Sequence, residues 1–280
     1  MARAEQLTGP DAHHGEGPVW WPEWGGLRWV DLLAGSILHL AADGSVSDWK
    51  VGKVAAAFRP RRQGGLVIAT ERDFVVADEP GGALRTLATV VTDPALRFND
   101  GTCDPAGRFL CGTMAYDETP GAGSIHRIAA DGTLDVVLTG ATVSNGLEWT
   151  GDGTHAFYND TPTGRIDVFD SDAAGALTGR RPFVTVEGGS PDGLTLDAEG
   201  GVWVALWGGG AVHHYAADGA LVEVVKVDAT NVTACTFGGD GLDELFITTS
   251  AEGDDDHAAA GAVFHYSAGV RGLPAATFAG

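Results

Sequence analysis

The sequence predicts an all-β protein folded as a six-bladed β-propeller, with residues 1–280 forming one domain. A unit of short strands and glycine-containing turns recurs six times. The recurring glycines lie at the spacing of propeller blades, and apolar residues at helical spacing are nearly absent. A β-sandwich would also have short strands, but it would not explain six copies at one period.

The six units follow one another without a linker. They begin with GPVWW, AAFRP, GTCDP, NGLEW, DGLTL and TACTF. Their first hairpins are marked by Gly26, Gly65, Gly107, Gly153, Gly200 and Gly241, which lie about 39 to 47 residues apart, the length of a four-stranded blade. Strands such as GGVWVALW and DELFITTS are short, β-branched and aromatic. We also expect the N-terminal and C-terminal strands to pair in the last blade.

The composition argues against several classes of partner. The chain has 38 acidic and 17 basic residues and a formal net charge of −21. Such a surface repels phosphate backbones and anionic lipids, so we expect neither nucleic acid nor membrane as a partner. No apolar run approaches the roughly 18 residues that a membrane span requires.

The N-terminus and the cysteines indicate the compartment. The first residues, MARAEQLTGP, lack the apolar core of a secretory signal, so we expect a cytoplasmic protein. Cys103, Cys111 and Cys235 have no CxxC spacing and fit neither a disulfide framework nor a zinc site, so we expect packed thiols. Closure of the ring leaves no strand edge that forces association, and we expect a monomer or a weak homo-oligomer.

Polar residues recur at the start of the first strand in four units. They are Glu16 in GEGPVW, Asn99 and Asp100 in FNDG, Asn145 in SNGLEW, and Asp192 in PDGLTL. Asn-Gly and Asp-Gly alone are strong turn signals. Here they precede the inner strand, whereas the hairpin turns DPAG, TGDG and DAEG come later. Recurrence at one place favours a convergent polar cluster at the mouth of the central channel.

The chemistry of this cluster predicts a cation. Glu16 and Asp192 supply two carboxylates and Asn145 an amide oxygen, and adjacent carboxylates cost free energy unless a cation or a proton compensates them. Oxygen ligands favour calcium, magnesium or manganese over zinc or copper. The identity of the one divalent ion stays open, with zinc and Fe(II) also to be tested. The pairs His13-His14 and His213-His214 are interpreted as structural.

The chain resembles the senescence marker protein/gluconolactonase family of regucalcin-like sugar lactonases. The resemblance is carried by GEGPVW, RFNDGTCDPAGRFLCGTM, SNGLEW and PDGLTLDAEGGVWVA, and it covers essentially the whole chain. It implies a six-bladed propeller that binds one divalent cation and hydrolyses sugar lactones. It also implies that the metal ligands are Glu16, Asn145 and Asp192, and that the substrate contacts are Arg97, Asn99 and Asp117.

The hypothesis that follows is metal-dependent hydrolysis of an aldonolactone such as gluconolactone to the aldonic acid. The metal would act as a Lewis acid and Asp192 as the general base, while Arg97 and Asn99 would orient the lactone. A serine nucleophile is not indicated, because GxSxG is absent.

Two alternatives stay open. The chain could be a non-catalytic calcium-binding or sugar-binding regulatory propeller, or a scaffold for a protein partner. The sequence also departs from the family at Trp207, which stands beside three glycines, and in an acidic loop with Asp254, Asp255 and Asp256, which we expect to be solvated. Substrate choice is therefore open.

Overall fold

The computed structural model describes residues 2–254 and 256–280, which form six β-sheets arranged in a ring. Within each sheet, strands that follow one another along the chain pair antiparallel, and the first strand of each blade contacts the first strands of its neighbours. The six predicted units correspond to the six blades. The prediction of a six-bladed β-propeller is confirmed.

The described strands fall into the blades as follows. Two short strands, β1 (Ala2–Arg3) and β2 (Glu5–Gln6), come first. Blade 1 contains β3 (Gly15–Trp21), β4 (Gly26–Asp31), β5 (Ser36–Leu40) and β6 (Val46–Lys50). Blade 2 contains β7 (Ala55–Pro60), β8 (Leu66–Thr70), β9 (Asp73–Ala77) and β10 (Arg85–Thr89). Blade 3 contains β11 (Leu96–Cys103), β12 (Phe109–Ala115), β13 (Gly123–Ile128) and β14 (Leu134–Ala141).

The second half of the ring repeats this arrangement. Blade 4 contains β15 (Ser144–Trp149), β16 (His155–Asp160), β17 (Arg165–Ser171) and β18 (Leu177–Thr185). Blade 5 contains β19 (Ser190–Leu196), β20 (Val202–Trp207), β21 (Ala211–Tyr215) and β22 (Leu221–Lys226). Blade 6 contains β23 (Asn231–Gly238), β24 (Glu244–Ser250) and β25 (Val263–Ser267). Two short 3₁₀ turns occupy Pro22–Trp24 and Thr161–Thr163.

The N-terminus closes the ring. β2 pairs antiparallel with β25 and supplies the fourth strand of blade 6, and β1 adds a parallel fifth strand to blade 5 beside β22. The expected pairing of N-terminal and C-terminal strands in the last blade is therefore confirmed. Because the chain ends are joined in one sheet, the ring cannot open without breaking that pairing.

The core lies between the blades and is apolar. Phe74 of blade 2 stacks on Phe98 of blade 3 with ring centroids 4.8 Å apart, and both rings are fully buried. The three cysteines are buried free thiols, as predicted. No helix among the described residues is long and apolar enough to span a membrane.

The C-terminal segment crosses one end of the ring. The Phe278 N–H donates to the carbonyl of Pro60 at 2.8 Å, and the Ala279 N–H donates to that of Gly107 at 2.8 Å. Residues 273–276 line a small cavity together with Arg59 and Glu148. This end of the channel is covered, so ligand access is expected at the opposite end, where the inner strands begin.

A buried carboxylate ties the first hairpin of blade 5 to its third strand. Asp197 accepts hydrogen bonds from the N–H groups of Glu199 and Gly201 and from Trp203 Nε1, at 2.8–2.9 Å. His214 Nε2 lies 3.1 Å from the same carboxylate, and its ring stacks on Trp203. Burial alone would raise the pKa of Asp197, but these hydrogen bonds lower it to about 2.

We expect Asp197→Ala to lower the free energy of unfolding by roughly 3 kcal/mol, because it leaves buried donors without an acceptor. Urea denaturation measures this change. Asp218→Ala is the matched control, since Asp218 is an exposed turn residue that accepts a hydrogen bond from the Ala220 N–H. Equal, small losses in both variants would show that the buried network does not stabilise the blade.

Candidate active site

Four inner strands carry a β-bulge at the polar residues singled out from the sequence. The pairing register with the second strand of the blade shifts at Glu16/Val19, Phe98/Gly101, Ser144/Leu147 and Pro191/Leu194. The sequence predicted that the polar residues precede the inner strands, and this prediction of their position was wrong. They lie inside the strands, because the ladder is already paired before each bulge, and the bulge re-aims the side chains.

The glycines that follow these residues permit close approach between strands. A Cβ on Gly146 would lie 2.8 Å from the carbonyl oxygen of Asp192 and 2.6 Å from Asn159 Nδ2. A Cβ on Gly193 would lie 2.5 Å from the Cβ of Ala234. Glycine is needed here so that neighbouring inner strands can pack together, and the Asn-Gly and Asp-Gly pairs are not hairpin turns.

A chain of hydrogen bonds joins blade 3 to blade 4. Arg97 Nη1 donates to Asn99 Oδ1 at 2.7 Å. Asn99 Nδ2 then donates to Asn145 Oδ1 at 2.9 Å and to the carbonyl of Ser144 at 3.0 Å. Because the guanidinium can only donate, Asn99 must present its oxygen to Arg97 and its amide hydrogens to blade 4.

The same chain continues to blade 5 and fixes the second amide. Asn145 Nδ2 donates to Thr161 Oγ1 at 2.9 Å, and that hydroxyl donates to the carbonyl of Pro191 at 2.9 Å. Since the hydroxyl hydrogen is used on Pro191, Thr161 accepts from Asn145. The Asn145 oxygen is thereby left on the side of Asn99, with one lone pair still available.

The carboxylates of Glu16 and Asp192 are buried and repel each other. Their residues are 6% and 4% exposed. Burial raises the pKa of Glu16 to about 8, and the charge of Asp100 adds to the rise. Burial also raises the pKa of Asp192 well above its usual range, with further contributions from Glu16 and Asp100. In the metal-free protein, burial and mutual repulsion therefore favour the protonated forms of both carboxyl groups.

The donor set fits a hard divalent cation. Asp192 Oδ1 is buried and accepts no hydrogen bond from the described residues, which is unusual for a buried carboxylate oxygen. No three His, Cys, Asp or Glu side chains among residues 2–254 and 256–280 are grouped to hold a metal by themselves. Two carboxylates and one amide are consistent with that result and would leave further positions for water or substrate.

Arg97 lies near the buried carboxyl group of Glu16 and beside the ring of Tyr116. Its side chain is largely buried, and its guanidinium lies 5.8 Å from the ring centroid of Tyr116. The Tyr116 hydroxyl donates to Glu71 Oε1 at 2.6 Å, and the residue is 44% exposed. Sequence reasoning missed Tyr116, although it stands directly before the predicted Asp117.

Asp117 is not brought to the cluster by the contacts of the described residues. It is exposed, and its carboxylate accepts hydrogen bonds from the N–H and the hydroxyl of Thr119 at 3.0 and 2.7 Å. Those bonds lower its pKa and close its own loop. Its role as a substrate contact stays a prediction.

The side of the mouth formed by blades 6 and 1 carries a histidine–glutamate pair. His14 Nδ1 lies 2.9 Å from Ser250 Oγ and 3.0 Å from Glu252 Oε2, and its ring centroid lies 5.8 Å from that of Trp207. His14 was interpreted as structural, yet it is buried only two residues before Glu16. Sequence reasoning missed Glu252.

The acidic run beyond this pair differs from residue to residue. Asp256 is exposed, as expected. Asp254 is only partly exposed, and Asp255 lies outside the described residues.

Below the cluster, the channel contains two further buried carboxyl groups. The sequence analysis did not single out Glu148, and it gave Asp100 no role beyond membership of the polar cluster. Burial raises the pKa of Glu148 to about 7, although the charge of Arg59 opposes the rise. Burial likewise raises the pKa of Asp100, again opposed by Arg59. Glu148 was visible in SNGLEW, three residues after Asn145 on the same inner strand, and this spacing was its only signal.

Comparison with known proteins identifies the family. The family model described as the SMP-30/gluconolactonase/LRE-like region matches residues 14–251. The chain is 37% identical over 275 residues to pentonolactonase XacC of Haloferax volcanii, covering 93% of this chain and 92% of that protein. It is 33% identical over 276 residues to 6-deoxy-6-sulfogluconolactonase of Pseudomonas putida, covering 95% of each chain. These relatives are lactonases.

The fold comparison agrees with this result. The crystal structure of the calcium-binding protein regucalcin from Agrobacterium tumefaciens superposes with a TM-score of 0.90 at 27% identity, covering 99% of this chain and 97% of that chain. The match extends over the whole ring. This chain therefore belongs to the SMP-30/gluconolactonase/LRE-like family.

Proposed function

We propose that the protein is a divalent-metal-dependent lactonase that hydrolyses sugar lactones such as gluconolactone to aldonic acids. The observation that carries the proposal is the buried pair of Glu16 and Asp192, in which Asp192 Oδ1 has no hydrogen-bond donor among the described residues. Relatives named for pentonolactone and sulfogluconolactone hydrolysis support the reaction class.

Glu16, Asn145 and Asp192 are the residues that would hold the cation. Two carboxylates would balance its charge, and the oriented Asn145 oxygen would add a neutral ligand. When bound, the cation supplies Lewis acidity to the lactone carbonyl. Calcium, magnesium, manganese, zinc and Fe(II) are the ions to compare.

Asp192 is the proposed general base. Its free oxygen accepts a proton from water as the water oxygen bonds to the lactone carbonyl carbon. The protonated carboxyl then gives that proton to the ring oxygen as the ester C–O bond breaks, which yields the hydroxy acid. In the metal-free protein, burial and the charge of Glu16 raise the pKa of Asp192. A cation held by the site would favour the ionised carboxylate, which is the form that accepts a proton from water.

Arg97 and Asn99 are the proposed substrate contacts. Arg97 Nη1 donates hydrogen bonds to Asn99 Oδ1 and to the Phe98 carbonyl. The remaining N–H groups of the guanidinium are therefore the ones available to lactone oxygens. Asn99 uses both amide hydrogens within the protein, which leaves a lone pair on its oxygen for a sugar hydroxyl. The two residues therefore differ in role, one donating and one accepting.

The test is a pH-indicator assay with five-membered and six-membered aldonolactones. Chelator-treated protein is compared with protein restored with each of the five ions, and each ion without protein serves as the blank. We expect selective turnover that returns only with metal. Metal binding without turnover above the blank would favour a non-catalytic binding protein, the alternative suggested by the relative described as calcium-binding.

A further inference from the structure

Glu252 is held at the mouth of the candidate site by its backbone. It follows β24 by two residues, and its N–H donates to Ser250 Oγ at 3.0 Å. Its carbonyl accepts from Asn231 Nδ2 at 2.9 Å. Asn231 begins the inner strand of blade 6, so the Glu252 backbone is tied to the same end of the ring where the other inner strands begin.

The Glu252 side chain is also positioned, while part of it stays open to solvent. One carboxylate oxygen lies 3.0 Å from His14 Nδ1, and His14 is buried against Ser250 and Trp207. The Glu252 side chain is 49% exposed. One oxygen is therefore anchored and the rest of the carboxylate can meet a ligand that enters the mouth.

Arg97 lies within electrostatic reach of this carboxylate. Burial lowers the pKa of Arg97, and the charges of Tyr116, Glu252 and Glu16 oppose that effect. The positive charge of Arg97 is thus matched by a carboxylate in the cluster and another at the mouth. Lys53 also contacts the ring of Tyr116, with its ammonium 5.2 Å from the ring centroid, but its charge is paired with Glu71 Oε1 at 2.7 Å.

We propose that Glu252 is a specificity-determining residue, which accepts hydrogen bonds from the hydroxyls of uncharged sugar lactones and repels lactones with an anionic side-chain group. This inference rests on the proposed function and names the substrate class of the same site. A carboxylate serves both purposes. It is a strong hydrogen-bond acceptor for hydroxyl groups, and its negative charge repels an anionic lactone.

The experiment compares wild type, Glu252→Gln and Glu23→Gln in the metal-loaded protein. Glutamine keeps the size of Glu252 and an acceptor oxygen for His14, but it removes the charge. Glu23 is an exposed carboxylate in the 3₁₀ turn at the far end of blade 1, so Glu23→Gln removes the same charge from the protein away from the mouth.

Two readouts separate this inference from the proposed function. Turnover of gluconolactone is compared with that of 6-phosphogluconolactone. Calorimetric binding of 1,5-anhydroglucitol is compared with that of its 6-phosphate, neither of which can be hydrolysed as a lactone. We expect Glu252→Gln to reduce the preference for the uncharged compound by about tenfold in both readouts, and Glu23→Gln to leave it unchanged.

Each outcome has one meaning. A shifted binding preference without any turnover by wild type would support the role of Glu252 and refute the lactonase proposal. Turnover with the same preference in wild type and Glu252→Gln would overturn the role of Glu252 alone. Equal shifts in both variants would overturn it as well, because they would trace the preference to the net charge of the protein.

Discussion

Replacing Asp192 with asparagine is expected to lower kcat for lactone hydrolysis by at least about a hundredfold, as the loss of a general base usually does. Asparagine keeps the shape of the side chain but cannot take a proton from water. The backbone of this bulge is fixed independently, since Asn159 Nδ2 donates to the Asp192 carbonyl at 2.6 Å. The fold should therefore survive, and single-turnover kinetics with gluconolactone measures the chemical step.

The metal dependence of the variant separates two roles of Asp192. If the carboxylate serves only as a ligand, saturating metal should restore kcat in Asp192→Asn. If it is the base, kcat should stay low at saturating metal. Asp218→Asn, a change in an exposed turn, is the control for handling and folding. If Asp192→Asn, measured without added metal, turns over the lactone within a few-fold of metal-loaded wild type, Asp192 has no part in the mechanism.

The sequence was sufficient for the fold because each blade carries its own local signal. Gly26 is the first residue of the second strand of its blade. The other marker glycines lie between the first two strands of their blades, and these are Gly65, Gly107, Gly153, Gly200 and Gly241. A repeated hairpin needs no long-range information to be recognised. The pairing of an N-terminal strand with the last blade was expected from the architecture. The residues of β2 and β25 that face each other were not predicted.

The bulges were not predictable, because a bulge is a property of two paired strands. Asn99-Asp100-Gly101 reads as a turn when it is taken alone, and only its pairing partners show that β11 continues through it. The same holds for Asn145-Gly146. The motif singled out side chains that the structure places on the inner strands. The backbone geometry that aims them depends on the neighbouring strand and on the adjacent blade.

The surroundings of the site were missed for a related reason. Tyr116 and Glu252 reach Arg97 from different blades, and nothing in their local sequence marks that convergence. His14 and His13 were interpreted together as a structural pair, and the contacts of His14 with Ser250 and Glu252 were not expected. Contacts between residues distant in sequence can be seen only in coordinates. Glu16, Asn145 and Asp192 could be singled out as candidates because each stands at the same position of the repeated blade.

The metal-free protein is expected to lose stability as the pH rises from about 5 to 8, and Glu16→Gln should lose much less. Burial raises the pKa of Glu16 from 4.5 to about 8. Below pH 4.5 the carboxyl is protonated in both the folded and the unfolded chain, and it has no effect. Between pH 4.5 and 8 the folded chain binds more protons, so the free energy of unfolding falls with pH. The loss is on the order of 3–5 kcal/mol.

Chemical denaturation with chelator present, at several pH values, measures this effect. Glu23→Gln should show the slope of wild type, because that carboxylate is exposed, whereas Glu16→Gln should be the more stable protein at pH 8. A saturating divalent cation should reverse this order, since it stabilises the ionised carboxylates of the wild-type fold and adds binding free energy. Identical slopes in the metal-free wild type and Glu16→Gln would show that the buried carboxylate is not under electrostatic strain. A site built from two carboxylates that repel each other should lower the free energy of unfolding when the ion is absent. Binding of the ion should restore it.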